Sequence, residues 1–161
     1  MNVVISEGEG PVRWRRRDLK RRSKPWGVSL PDDYRAFLLK YNGGQVEPDG
    51  FAITWRPGQP EAMVGAASMV SWLFAVYDGR HENLLRMNQI TFKGRLPPGT
   101  IAIGRDPGSN LLLCTTGSRC GEVLYWLMET KARTDDGKAP SEDNVGFVAD
   151  SFDDFLQNRL H

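Results

Sequence analysis

The stretch SLPDDYRAFLLKYNGG, Ser29–Gly44, decides the fold, because it marks both ends of one helix and the face that the helix buries. Pro31 suits the first helical position, where its missing N–H has no partner to lose. Asp32 and Asp33 set negative charge against the positive end of the helix dipole. Tyr34, Phe37, Leu38 and Tyr41 recur at three- and four-residue spacing and so share a face, while Asp33, Arg35 and Lys40 stay in water. Asn42, Gly43 and Gly44 tolerate the left-handed backbone that ends a helix, which predicts a sharp turn. Such a helix needs a partner surface elsewhere in the chain.

That surface is predicted downstream. Gly50–Trp55 alternates Phe51, Ile53 and Trp55 with Ala52 and Thr54, the period of a half-buried strand. Arg56–Ser68 holds Pro57, Gly58, Pro60 and Gly65 and reads as an exposed loop, and Met69–Val76 reads as a second strand. Leu84, Leu85, Met87 and Ile90 suggest a short helix within His81–Phe92, ended by Leu96-Pro97-Pro98-Gly99. Three strands are expected at Thr100–Gly104, Asn110–Thr115 and Gly121–Met128; the last is apolar on both faces and is expected to be central. The polar run Lys131–Asn144 reads as a loop. Ser151 then opens SFDDFLQNRL with a capping-box-like pattern, and Phe152, Phe155, Leu156 and Leu160 share a face of a terminal helix. Strands in the middle and helices at both ends predict an α+β fold, a mostly antiparallel β-sheet with helices packed on one side.

Composition bounds the function. A chain of 161 residues suits one domain, which at that length buries roughly 70% of its unfolded surface. It is 40% hydrophobic and 25% charged, and no run approaches the ~18 apolar residues of a membrane span, so no membrane partner is expected. The first residues lack a basic region followed by an apolar core, so the expected location is cytoplasmic. In that compartment Cys114 and Cys120, at the ends of an expected hairpin loop, are read as reduced thiols. The net charge of +1 hides an asymmetry: Arg13–Lys24 holds eight Lys or Arg and one acid, and the rest of the chain holds 13 basic and 19 acidic residues, a net of −6. The expected division is a basic N-terminal arm or first helix over 1–24 and a domain over 25–161.

Motifs for chemistry are missing from the sequence. Two cysteines and two histidines make no zinc spacing, and neither a Gly-x-Ser-x-Gly elbow nor a phosphate loop is present. A Cys/His nucleophile has only His81 as an internal histidine. The paired acids Asp32/Asp33 and Asp153/Asp154 fit helix N-terminal turns, and Asp135/Asp136 fits a solvated loop. The expectation is a protein without catalytic residues, metal or cofactor.

Three segments, LPDDYRAFLLKYNGG, LPPGTIAIGRDPGSNLLLCTTGSRCGEVLYW and VADSFDDFLQNRL, together resemble the SUKH superfamily, the Smi/Knr cell-wall-assembly regulator family. The resemblance rests on Leu30, Pro31, Asn42, Gly43 and Gly44; on Pro98, Gly99, Asp106, Gly108 and Asn110; on Gly121, Val123, Tyr125 and Trp126; and on Ser151, Phe152, Phe155 and Leu156. It covers residues 29–160 and implies an α+β domain that binds another protein. In bacteria such domains look like immunity proteins of polymorphic toxin systems; fungal relatives regulate cell-wall synthesis.

The function that the resemblance implies is binding to a cognate toxin domain, a nuclease being the class that suits an acidic body, by a monomer or weak dimer. Candidate partner-binding residues are Glu47, Asp49 and Glu61 around the loop after the first helix, Asp78, Glu82 and Asp106 at predicted turns, and Trp55 and Trp72 as aromatic anchors. Each Trp also suits the core, and each acid also suits plain surface charge. Two alternatives stand beside this. One is a nucleic-acid-binding module using Arg13, Trp14, Arg15, Arg16, Arg17, Lys20, Arg21 and Arg22, and the other is a regulatory scaffold for cell-wall enzymes.

Overall fold

The computed structural model describes residues 3–6, 29–57, 65–117, 121–128 and 144–161. Helix α1 spans Asp32–Lys40, with Asp32 and Asp33 in its first turn and Lys40 in its last. Its stop is as expected: Asn42, Gly43 and Gly44 all have positive φ, at 56°, 81° and 112°. Gly43 is needed twice over, since a Cβ there would sit 2.7 Å from the Leu73 carbonyl oxygen as well as straining the backbone.

Five strands form the main antiparallel sheet, in the order β5 (Trp72–Leu73), β6 (Thr100–Arg105), β7 (Leu111–Thr115), β8 (Val123–Trp126) and β9 (Val145–Ala149). β6, β7 and β8 match the three expected strands, and β8 lies inside the sheet with every residue buried. The run expected as one strand over Met69–Val76 divides. β4 (Ala67–Met69) pairs with β3 (Gly50–Ala52) in a separate ribbon, and β5 joins the main sheet two residues later. A third pairing joins β1 (Val4–Ser6) to β2 (Gln45–Glu47).

Residues Gly44–Thr54 form a strap from one sheet edge to the other. Gly44 exchanges backbone hydrogen bonds with Leu73 at 3.0 and 2.8 Å, and Thr54 does so with Phe147 on β9 at 2.8 and 2.9 Å. Midway, Gly50 exchanges two more with His161, at 3.1 and 2.9 Å. The strap lies close: a Cβ on Gly146 would fall 2.3 Å from the Ile53 side chain.

Helix α3 opens at Phe152–Asp154 and widens into a π turn over Phe155–Arg159. Its cap is the one the sequence announces, with the Ser151 hydroxyl accepting from the Asp154 N–H at 3.0 Å. α1 and α3 pack together on one face of the sheet. Phe152 meets Tyr34 and Phe37 at ring distances of 4.9 Å each, and Phe155 meets Phe51 of the strap. Tyr125 of β8 reaches this face, against Phe51 and Trp55. Its neighbour Trp126 points the other way and meets Phe92 edge-on. Phe92 follows helix α2 (Leu84–Arg86) and its π turn Met87–Thr91, closed by a bond from the Phe92 N–H to the Met87 carbonyl. The chain is thus a single α+β domain with a mostly antiparallel sheet. Its two best-marked helices share one face, and a short helical segment brings Phe92 to the other.

Candidate partner-binding surface

Three of the expected contact residues, Trp72, Glu82 and Asp49, gather where β5 meets the end of β6. Trp72 pairs in register with Arg105, and the Arg105 guanidinium holds Glu82 at 2.6 Å. Glu82, in left-handed backbone at φ 51°, closes the Asp78–Asn83 loop onto Ala75, whose N–H it receives at 2.8 Å. Asp49 follows the cis Glu47–Pro48 bond and takes the Val70 N–H on its carbonyl at 2.8 Å. Asp78 is exposed in the same loop as Glu82, and that loop is held by Asn83, whose side chain donates to the carbonyls of Tyr77 and Gly79 at 2.7 and 2.8 Å.

Asp106 sits beside these groups but inside the protein, 5% exposed. One carboxylate oxygen accepts from Tyr125 Oη at 2.7 Å and from Ser68 Oγ and Asn110 Nδ2 at 3.1 Å each. The other accepts the Asn110 backbone N–H at 2.9 Å. Four internal donors leave this carboxylate little capacity for a partner. Burial, and then the hydrogen bond and charge of Asp106, push the Tyr125 phenol well above the usual tyrosine range.

The remaining candidates lie apart. Glu47 is exposed on β2 opposite Val4. Trp55, half-buried against Tyr125, donates its indole N–H to the Gly65 carbonyl at 3.0 Å near the β9 edge. Glu61 and the whole basic set, Arg13, Trp14, Arg15, Arg16, Arg17, Lys20, Arg21 and Arg22, lie outside the described residues.

The sequence reading named Asn42 and Asn110 but not the backbone bonds that they and two further asparagines make. Asn42 is buried at the helix stop, and its amide both receives the Val76 N–H at 2.8 Å and donates to the Val76 carbonyl at 3.0 Å. Asn88 does the same for Ala102, at 2.8 Å each way, completing β6 where β5 has ended. Asn110 receives the Met128 N–H at 3.0 Å, and Asn144 donates to the Leu127 carbonyl. A side-chain amide carries a donor and an acceptor side by side, as a strand backbone does, which suits it to these gaps. The visible signal was Asn placed beside Gly or at a run's end, and that pattern also describes any exposed turn.

Among the described residues, grooves open at three places on the surface. One of about 620 Å³ lies between β1, α1 and α3, and one of about 170 Å³ lies by Trp55 and Phe147. The third, about 630 Å³, runs along the π turn after α2 and is lined by Ile90, Phe92, Leu96, Pro97 and Pro98. Among the described residues, no three His, Cys, Asp or Glu side chains are grouped to hold a metal, and no helix is long and apolar enough to cross a membrane. Cys114 is buried, with its Sγ 3.7 Å from the Thr115 carbonyl, and the Tyr34 hydroxyl is buried with no hydrogen-bond partner among the described residues. The arrangement offers surfaces to bind with: exposed acids on one side and an apolar groove on another.

The model of the SMI1 / KNR4 family (SUKH-1) matches residues 16–158. The chain is 24% identical over 160 residues to the SPbeta prophage-derived uncharacterized protein YokK of Bacillus subtilis (strain 168), covering 95% of this chain and 78% of that protein. No solved structure matches it.

Proposed function

The chain belongs to the SMI1 / KNR4 family (SUKH-1), and on that premise we propose that it is an immunity protein, which binds one cognate bacterial toxin domain and occludes its active site. Family membership across residues 16–158 is the observation that carries this reading. The cell that makes such a toxin needs the antidote in its own cytoplasm, which sets the proposed location there. Neutralisation needs no reaction: a specific inhibitor interface of ~800 Å² per partner reaches nanomolar affinity when a few anchors are well buried.

The interface proposed from charge uses Glu47, Asp49 and Asp78 with Trp72, and takes in Glu61 and Trp55. A toxin that acts on nucleic acid presents basic groups where it meets phosphate, and a body of net −6 outside Arg13–Lys24 complements it. A second reading, nucleic-acid binding through the basic set, is favoured only by the eight Lys or Arg within Arg13–Lys24. Its signature is a salt-dependent affinity that disappears when residues 1–24 are removed.

The test is titration of this protein into a toxin domain encoded beside its gene. Toxin activity should vanish near a one-to-one ratio. Charge reversal at Glu47, Asp49 or Asp78 should raise Kd about tenfold or more, while Asp135→Lys should leave it close to the parent value. Inactivation of many toxin molecules by one copy, or a covalent change left in the toxin, overturns the binding mechanism.

A further inference from the structure

The groove beside the π turn has the opposite character to the acidic surface. Its floor is apolar, from Phe92, Leu96, Pro97 and Ile101, and Ile90 stands over it 63% exposed, the most exposed large hydrophobic side chain among the described residues. A β-branched aliphatic side chain held that far into water on an ordered turn is unfavourable by itself, and it gains most when a partner covers it. From Asn83 to Arg105 the chain carries Arg86, Lys93, Arg95 and Arg105 and no acid. Lys93 lines the groove, Arg86 lies one helical turn before Ile90, and Arg95 stacks its guanidinium over the Phe92 ring at 5.5 Å. Arg105 is paired with Glu82 at the other end of β6, so the positive charge at the groove comes from Lys93 in its lining and from Arg95 on the Phe92 ring.

The geometry points to this groove as the docking site for an acidic segment of a partner protein, one that sets an aliphatic side chain against Ile90 and carboxylates against Lys93 and Arg95. Charge complementarity selects the acids, and a cavity of about 630 Å³ admits several aliphatic side chains. A nucleic-acid strand fits less well. The groove's one aromatic side chain, Phe92, is 5% exposed and offers no face for a base, and base stacking is what a single strand needs besides positive charge. The site rests on the immunity reading only for the identity of the partner. It adds to the acidic interface a second patch of opposite sign, so that a toxin would be held by two patches that no single charge reversal removes.

The experiment uses the full chain and no toxin, so it fails or succeeds independently of the immunity reading. Short random peptides displayed on phage are selected on the immobilised protein, and enriched peptides are then measured by fluorescence anisotropy. Enriched sequences should pair Asp or Glu with Leu, Ile or Val. They should bind Ile90→Asp and Lys93→Glu variants about tenfold or more weakly, while binding Glu47→Lys as the parent does. Both groove residues are exposed, so circular dichroism and melting temperature should match the parent and exclude unfolding as the cause. Three results overturn the site: no enrichment above the starting library, enriched peptides indifferent to both groove variants, or an RNA or DNA oligonucleotide bound through Lys93 more tightly than any acidic peptide.

Discussion

At its C-terminal end strand β6 runs into Asp106, whose carboxylate is enclosed and met by four donors; at its N-terminal end it starts from Pro98-Gly99, beside a groove where Ile90 stands 63% exposed. The charged residue is inside and the aliphatic one is outside. Polarity is therefore a poor guide to which end meets a partner, because a buried carboxylate costs little once its lone pairs are filled. The closed end holds three pieces of chain together, with Ser68 from β4, Tyr125 from β8 and Asn110 from its own turn. At the open end Asn88 ties the π turn to Ala102 of β6, and the groove lies beside that tie.

If the two ends differ in this way, substitutions at the closed end should cost stability and those at the open end should cost binding. The largest loss is expected for Asp106→Ala, which leaves the Tyr125 hydroxyl and the Asn110 amide buried without acceptors; thermal unfolding should show about 3–5 kcal/mol. Next comes Gly43→Val, beside the β5 residues that pair with β6. It forces a branched side chain into φ 81° against the Leu73 carbonyl, for roughly 2–4 kcal/mol. An unchanged melting temperature with partner binding lost would instead make the Asn42-Gly43-Gly44 stop a contact site.

Tyr125→Phe removes one donor to Asp106 and should cost about 1–2 kcal/mol near neutral pH. Its pH dependence carries a sign. The folded protein holds the Tyr125 proton more tightly than the unfolded chain, so this contribution is complete below the ordinary tyrosine pKa of about 10 and is lost as pH rises beyond it. Denaturant melts of parent and variant should therefore converge in alkaline buffer. Parallel curves across that range would mean the phenol is not buried against Asp106. The smallest effect is expected at the open end, where Ile90→Asp should stay within about 0.5 kcal/mol of the parent while weakening peptide binding about tenfold or more. A large loss of stability there would erase the distinction between the ends.

The local parts of this arrangement were legible in the sequence. α1 and its stop, the α3 cap and the β7–β8 hairpin are written in neighbouring residues, through spacing, caps and left-handed turns. What was not legible depends on partners far along the chain. β9 is five residues, VGFVA, behind a polar run, and its strand character comes from β8 on one side and Thr54 on the other. Met69–Val76 has the composition of one strand, yet Val70 and Ser71 bond to Asp49 and Arg105 in different ribbons and divide it. Of the candidate site, Trp72, Glu82 and Asp49 do come together. Asp106 looked like a surface turn because the residues that enclose it, Ser68 and Tyr125, are separated from it by entire strands.

The strap across the sheet also constrains the order of assembly. β6, β7 and β8 are consecutive, so their ladders close short loops and carry little entropic penalty. The strap's pairings, Gly44 with Leu73, Thr54 with Phe147 and Gly50 with His161, join segments far apart in the chain. Each must wait for both of its segments to be present. During synthesis the meander is therefore complete while the β9 edge is still open, and the strap, made early, is seated late. Until β9 has emerged, β8 is an unpaired edge at which a nascent chain can pair with another copy.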